Sequence, residues 1–525
     1  MAGRVSPAPA DPTWRVDLAD ETQTIMLAHE VAGWIKPGDL IALSGDIGAG
    51  KTTFARALIR RLTGDPELET PSPTFTLMQT YDGPDFPIVH ADLYRIKNPR
   101  ELADLGWDEA SEGALAIVEW PERAGAVLNA DRLELSLEFA AGAGASQRIA
   151  LLAGHGAMAP RVARARGIAQ ILRRSGWDEA KRTSMYGDAS IRSFERLVAP
   201  SGATAILMIS PPRADGPILR YGKPYAAIAK LSDDIRAFIA MAEGLRAQGY
   251  STPRLIAHSV ADGMAVLEDF GSNYIADAEG PSPVRYTEAV ALLADLHNKQ
   301  LPAQLPVDDD LYTIPVYDSE AMLVEVELLL DWYAPHQAAG APASGARAQF
   351  LALWTHVLSP ILKQAKTWTL RDFHSPNLHW LAEREGLRRL GLIDFQDAVL
   401  GPPAYDLASL LQDARVDIPD EIELRLIALY ARRRQAQDAS FDVAAFTAAY
   451  AAMGAQRATK ILGIFARLDK RDGKAQYLAH LPRIERYLAK NLNHPLMAAV
   501  KQWILTHLPR ALGAEPRAPT PDPGS

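Results

Sequence analysis

Apolar and polar positions follow two regimes along the chain. Up to about Phe139, short apolar runs alternate with helical patterns. DLIALS (39–44) reads as a buried strand, TFARALIRRL (53–62) as the helix after it, and ALAIVE (114–119) as a second buried strand. The small, polar AAGAGASQ (140–147) predicts a turn between two strands. GHGAMAP (154–160) reads as a linker, which is bounded at 154–163. In the basic run Arg161–Arg174, Ile168, Ile171 and Leu172 sit at helical spacing, so it is taken as the first helix of a second domain with a solvated basic face. The pattern from 183 to 275 predicts a small α+β lobe, and from 284 to about 508 it is mostly helical. The resulting division is a first domain over 13–153, a small lobe over 164–283 and a helical lobe over 284–510. The Pro-rich ends, 1–12 and 511–525, read as disordered.

Composition supports this division. A chain of 525 residues exceeds the roughly 250–300 at which one core stops growing, and 48% apolar residues supply enough surface for two. Absence of cysteine excludes disulfides, thiolate zinc sites and a cysteine nucleophile. Apolar runs such as Ala205–Ile209 fall far short of the ~20 residues a membrane span needs, and the first residues lack the apolar stretch of a signal peptide. A cytoplasmic protein is expected. Residues 1–160 carry 13 Lys+Arg against 23 Asp+Glu, whereas the remainder carries 42 against 41. An acidic first domain is a poor binder of nucleic-acid phosphates, so any RNA pathway it serves is reached through a protein partner.

The strongest chemical signal is GDIGAGKT (Gly45–Thr52), a G-x-x-x-x-G-K-[ST] sequence between the predicted strand and helix. Gly45, Gly48 and Gly50 let backbone approach phosphates at a helix N-terminus, with Asp46, Ala49 and Thr53 completing the nucleotide-binding stretch. Lys51 reaches the β/γ-phosphates and the Thr52 hydroxyl ligates Mg²⁺. SPTFT (72–76) groups three hydroxyls in a turn. HADLYR (90–95) and VEWPER (118–123) put Asp92 and Glu119 at strand ends, where a P-loop enzyme needs carboxylates for metal and attacking water.

A second constellation spans TLRDFHSPNLHWL (369–381) and GLIDFQDAVLGPPAYDLASLL (391–411). Asp372 and Asn377 have the spacing of a kinase catalytic loop, and Asp394 follows an apolar pair as the metal-binding Asp of kinases does. Asp372 is the base for an acceptor hydroxyl, and Asn377 and Asp394 are metal ligands. His374 supports or packs, and Asp406 anchors the loop. Upstream, MYGDASIRSFERLV (185–198) stands where a phosphate-covering loop belongs, with Asp188 in its turn. ATAILMISPP (203–212) is the next strand. AVLEDFG (265–271) is a hinge for adenine, with Glu268 and Phe270 at the nucleotide. Glu243, on a predicted helix over 234–248, matches the glutamate that pairs with the kinase lysine. The strand Ala205–Ser210 has no such lysine, however; either Arg192, Arg196 or Lys223 substitutes, or the domain is inactive.

GDIGAGKTTF, PSPTFTL, HADLYR and VEWPER together resemble the TsaE family, the small ATPase of bacterial tRNA threonylcarbamoyladenosine synthesis, over about 15–150. The resemblance implies an α/β P-loop NTPase that acts on a threonylcarbamoyl-transferase complex, with Thr74 in a switch-like turn and Trp120 as an aromatic beside the nucleotide or in the core. The later motifs resemble the aminoglycoside-phosphotransferase superfamily, an α+β bilobal, protein-kinase-like fold. Within it, GDASIRSFERL, ILMISPP, LEDFG, LLLDWY and LRDFHSPNLHWL are most similar to the AmgK family of anomeric N-acetylmuramate/N-acetylglucosamine kinases, over about 164–508. That branch tolerates the lysine-free strand. It implies ATP, Mg²⁺ and an amino-sugar acceptor in cell-wall recycling, with 284–360 forming the acceptor pocket. Trp332 and Tyr333 stack on the sugar or pack in the core. Two alternatives stay open: the second domain phosphorylates another alcohol, such as an antibiotic or amino alcohol, or the first is a nucleotide switch gating the kinase.

Overall fold

The computed structural model describes residues 13–140, 142, 144, 146–185, 191–214, 216–277, 279–337 and 344–512. The chain divides into two compact units between Arg173 and Arg174.

In the first unit, strands β1 (Trp14–Leu18), β2 (Leu40–Ser44), β3 (Met78–Asp82), β4 (Pro87–Asp92), β5 (Leu115–Glu119), β6 (Arg132–Phe139) and β7 (Arg148–His155) form one sheet in the order β1-β7-β6-β2-β5-β4-β3. The central four run parallel, and β1, β7 and β3 attach antiparallel. Strand β2 is buried on both sides because its residues alternate between two cores. Ile41 and Leu43 pack with Leu27 of helix α1 (Glu21–Ala32) and with Phe54 and Leu58 of helix α2 (Lys51–Thr63). Leu40 and Ala42 pack on the other face with Val89, Ala91, Val118 and Trp107. Helix α1 starts at Asp20, whose carboxylate accepts from Gln23 N at 3.0 Å, while Gln23 accepts from Ala19 N in return.

The expected linker at 154–163 is not a linker. Strand β7 runs through His155, and a helix occupies Ala159–Ser175. Met158, Val162 and Ala165 are buried in the first unit's core, and Arg161 holds Asp39 through two 2.6 Å hydrogen bonds. The small residues that suggested flexibility are there for close packing: a Cβ on Gly154 would stand 2.7 Å from the Ala159 backbone.

The second unit begins with a five-stranded antiparallel sheet. Strands β8 (Lys181–Met185), β9 (Ser193–Val198) and β10 (Thr204–Ile209) are followed across it by Met264–Glu268 and Leu255–Ser259. The expected helix is present over Ile235–Ala247, N-capped by Asp234. Asp188 lies outside the described residues. The remainder is mostly helical, as the pattern predicts, with short hairpins that carry the candidate catalytic residues. Thr367–Thr369 pairs with Val399–Gly401, and Leu378–Trp380 pairs with Leu390–Leu392. The long helix Val443–Asp472 presses against Ser319–Leu328 at Gly463, where any Cβ would lie 2.3 Å from the Leu328 backbone. Among the described residues no helix is long and apolar enough to cross a membrane.

Candidate functional sites

In the first unit, parallel register brings strand ends together. Glu119 lies level with both Leu43 of β2 and Asp92 of β4. The crevice beyond the carboxyl ends of parallel strands is where ligands bind in such sheets. The loop leaving β2 there needs glycine: Gly45 has φ 130°, and a Cβ would meet Leu137 O at 2.2 Å. Gly48 and Gly50 are also left-handed, and Gly50 caps α2, which begins at Lys51 and continues through Thr52 and Thr53. Lys51 Nζ turns back onto its own loop, donating to Gly45 O (2.7 Å) and Asp46 O (3.0 Å). Ala49 N donates to Asp46 O, tightening the turn. From outside, Arg148 donates to the carbonyls of Gly48 and Ala49, both at 3.2 Å.

The carboxylates form two neighbouring clusters. Glu119 accepts from the Thr52 hydroxyl at 3.0 Å, and His90 Nε2 lies 3.0 Å from the same carboxylate. Asp92 accepts from Thr74 (2.7 Å), Ser72 (2.9 Å) and Tyr94 N (3.1 Å). The SPTFT turn is thus tied to the Asp92 carboxylate. Trp120, at φ 60°, places its ring 3.9 Å from Lys51 Nζ and 5.1 Å from Tyr94, so it faces the loop while packing on the second core. Burial lowers the Lys51 pKa against the pull of Glu119, Asp92, Glu122 and Asp46. His90 was not singled out by the sequence reading, although a histidine inside a buried strand next to Asp92 was the available signal.

In the second unit a cleft of about 1060 Å³ contains Asp372, His374, Asn377, Asp394, Glu268 and Phe270 in its walls. The loop before Asp372 is pinned from behind by Asp406, which accepts from Leu370 N (2.6 Å) and Arg371 N (2.8 Å). Burial pushes the Asp406 carboxyl up to about 7, against the pull of those two amides. Arg371, at φ 67°, is buried against Glu325, which also takes Lys460 (3.0 Å), Gln456 (2.9 Å) and the Tyr317 hydroxyl. The paired glutamates in the otherwise apolar Ser319–Leu328 were a legible sign of this network, but sequence reasoning did not use it.

Asn377 Nδ2 donates to Asp372 O at 2.9 Å and lies 3.4 Å from Asp394 Oδ2. Asp394, at φ 60°, accepts from Arg192 (3.0 Å) and Gln396 (3.1 Å). The two carboxylates are driven in opposite directions. Burial works against ionisation of Asp372, but His374, Lys460, Arg371 and Arg457 outweigh it and hold the pKa below the usual value. Burial raises Asp394, with Arg192 opposing. Burial also lowers His374, so near pH 7 the standing positive charges on Asp372 are the lysine and arginines.

Of the cations proposed for the missing lysine, Arg192 reaches Asp394. Arg196 sits directly opposite Ile206 of β10 and pairs with Asp269 at 3.0 Å, while Lys223 is not in the cleft wall. Two expectations fail, and a third resolves to the core. Glu243 is half-exposed, faces Arg246 and does not line the cleft. Its helix turns Phe238 to the cleft, and Glu243, five residues on, falls on another face. Residues 284–360 do not line the cleft; 225–234 and the helix Val443–Asp472 do. Tyr333 is fully buried and bonded to Glu485, and Trp332 packs against the core, so neither meets a ligand there. Glu268 lines the cleft, but its carboxylate is held by Arg384 and Arg254 N, and its own N–H donates to Arg254 O at 3.0 Å.

These two sites define the classes: a P-loop nucleotide-binding unit and a kinase-like phosphotransferase unit. Residues 18–148 match the family described as Threonylcarbamoyl adenosine biosynthesis protein TsaE, and 187–446 match the Phosphotransferase enzyme family. The chain belongs to both, as a fusion. A TsaE of Rickettsia felis is 43% identical over 121 residues, covering 23% of this chain and 70% of that protein. An N-acetylmuramate/N-acetylglucosamine kinase of Caulobacter vibrioides is 35% identical over 353 residues, covering 65% of this chain and 96% of that protein. A kinase of the same description from Pseudomonas putida is 29% identical, covering 61% and 86%.

Proposed function

We propose that the chain is bifunctional: its first unit hydrolyses ATP in support of tRNA threonylcarbamoyladenosine synthesis, and its second transfers the γ-phosphoryl of ATP to the anomeric hydroxyl of N-acetylmuramate or N-acetylglucosamine. Both activities belong to the cytoplasm. The single observation that carries the kinase reading is the convergence of Asp372, Asn377 and Asp394 in one cleft, from the two segments that join the nested strand pairs Thr367–Thr369/Val399–Gly401 and Leu378–Trp380/Leu390–Leu392. The residues suit Mg²⁺. Each site offers hard oxygen donors, Thr52 with Asp92 and Glu119 in one and Asp394 with Asn377 in the other. A magnesium ion shared with nucleotide phosphates needs only a few protein oxygens, and it would neutralise charge on the transferring phosphoryl.

In the kinase, Asp372 accepts the proton of the anomeric hydroxyl as that oxygen bonds to the γ-phosphorus. The bond from phosphorus to the β–γ bridging oxygen breaks, giving a sugar 1-phosphate and ADP. A hemiacetal hydroxyl is more acidic than an ordinary alcohol, so an ionised carboxylate serves as base. Lys460, Arg371 and Arg457 keep Asp372 ionised. Arg192 orients Asp394 and carries positive charge to the phosphate side, in place of the absent strand lysine. Glu268 and Phe270 frame the adenine.

In the ATPase, Lys51 exchanges the carbonyls of Gly45 and Asp46 for the β/γ-phosphates, with Gly48, Ala49 and Gly50 supplying backbone N–H groups. Glu119 orients the attacking water with His90 behind it, and Asp92 couples the metal side to Thr74. The acidic surface of this unit fits a role exercised through the threonylcarbamoyl-transferase complex rather than on tRNA itself.

The test is the intact protein with Mg-ATP and a panel of N-acetylmuramate, N-acetylglucosamine, an aminoglycoside and choline, with products read by mass spectrometry. An acid-labile phosphate on an amino sugar supports the reading. A product only from the antibiotic or choline replaces the substrate and keeps the chemistry.

A further inference from the structure

The cleft wall opposite the sheet is one face of the helix Val443–Asp472. Arg457, Lys460, Ile464, Arg467 and Arg471 recur at intervals of three and four, and all five line the cleft. Most of this positive charge is already answered. Lys460 pairs with the buried Glu325 at 3.0 Å, and Arg471 is held by both oxygens of Asp472, at 2.7 and 2.9 Å. Arg457 donates to Gln412 O at 3.4 Å.

Arg467 differs. Its Nε is buried and has no hydrogen-bond partner among the described residues, and its guanidinium lies 5.4 Å from the centre of the Tyr225 ring. Burial works against its charge; Tyr225 and Asp472 only partly offset that and the repulsion from Arg471. A buried, unpaired guanidinium nitrogen costs free energy unless an acceptor arrives. Three of the acidic residues elsewhere in the cleft have partners of their own: Asp269 holds Arg196, Asp234 holds Arg236, and Asp397 accepts from Ser232 N.

Position along the helix gives the arrangement a scale. Lys460 lies within electrostatic reach of Asp372. Arg467 is seven residues further, about 10 Å along the axis. Asp372 and Arg467 line the same cleft, so an acceptor whose reacting hydroxyl meets Asp372 and which extends along this helix brings its far side toward Arg467.

We propose that Arg467, supported by Arg471, is a carboxylate-recognition subsite, and that the preferred acceptor is an amino sugar bearing an acid group away from its reacting hydroxyl. This rests on the sugar-kinase reading above. Of the two sugars in the relatives' names, N-acetylmuramate carries such a carboxylate and N-acetylglucosamine does not. The planar fork of arginine suits a carboxylate, and Tyr225 stacks beneath it.

The experiment compares kcat/KM of the intact protein for N-acetylmuramate, its methyl ester and N-acetylglucosamine. The acid is expected to exceed its ester about 10- to 100-fold, the worth of one charge-assisted hydrogen bond. Arg467→Met should collapse that preference, and Arg467→Lys should restore part of it. Equal rates for acid and ester in the unaltered protein overturn the subsite whatever the variants do, while the kinase reading stands. An acid preference that persists in Arg467→Met also overturns it. If none of the three sugars is phosphorylated, the kinase reading falls and the subsite with it.

Discussion

The two phosphate-handling sites of this chain are built on opposite plans. In the first unit nearly everything that faces the nucleotide comes from one stretch, Gly45–Thr53, and from strand ends that parallel register places side by side. Lys51 is stored on carbonyls of its own loop. In the second unit the parts are far apart in sequence. Arg192 reaches across 202 positions to Asp394, and Lys460 and Arg457 approach Asp372 from a helix that begins at Val443. The first plan makes binding a property of a loop. The second makes it a property of packing, so it depends on residues such as Gly463, Asp406 and Glu325 that do not line the cleft.

The largest effect that tests this contrast is Asp372→Asn. Loss of the base is expected to lower sugar phosphorylation by about 10²- to 10⁴-fold, with ATP hydrolysis by the first unit retained. Coupled product assays measure both in one sample; normal kinase turnover in the variant would remove Asp372 from the mechanism. Next is Glu119→Ala. ATP hydrolysis should fall about 10²-fold while a fluorescent nucleotide still binds, because the loop that cradles phosphate is left whole. Loss of binding equal to the loss of hydrolysis would make Glu119 a structural partner of Thr52 and His90 instead.

The same contrast explains what the sequence disclosed. Gly45–Thr52, Asp92 and Glu119 were legible because each chemical role is carried by local spacing on a strand–loop–helix, and the parallel sheet follows from its buried apolar strands. Asp372, Asn377 and Asp394 were singled out in the same way, from the spacing of short loop motifs, and the structure brings them to one cleft. The basic stripe that lines the cleft was not. Residues 457–471 fall in a stretch read only as mostly helical, and nothing in their spacing says that the polar stripe faces a cleft rather than water. Glu243 misled because a helix at the right place in the order does not fix which of its faces turns inward. The boundary at 154–163 misled because Gly and Ala mark close packing as readily as flexibility.

Asp406→Asn tests the packing plan directly. The amide can accept from Leu370 N or Arg371 N through one oxygen but presents an N–H to the other. One buried donor is left unsatisfied, at about 1–3 kcal/mol to the second unit. The change also alters pH dependence. Asp406 has its pKa raised on folding from 3.8 to about 7, so it binds a proton more tightly in the folded state. Its contribution is full below 3.8 and is lost as pH rises through 7. Thermal unfolding of the unaltered protein at pH 5 and pH 8 should show this loss. In Asp406→Asn the difference between the two pH values should shrink, and an unchanged difference would assign the pH dependence to another group.

The smallest expected effect is the most informative about the fusion. Lys51→Ala removes the side chain proposed to exchange its own loop's carbonyls for phosphate, so nucleotide hydrolysis by the first unit should be lost. Among the described residues, the groups that act on Asp372 all belong to the second unit. Asp372 is charged by Lys460, Arg371 and Arg457, and its loop is anchored by Asp406. The kcat and KM for sugar phosphorylation should therefore stay within about twofold of the unaltered protein, the spread of a substitution outside a site. A fall in kcat at saturating ATP, with KM for the sugar unchanged, would mean that nucleotide in the first unit sets the fraction of kinase in its active state. That result would turn two independent enzymes on one chain into a switch and its output.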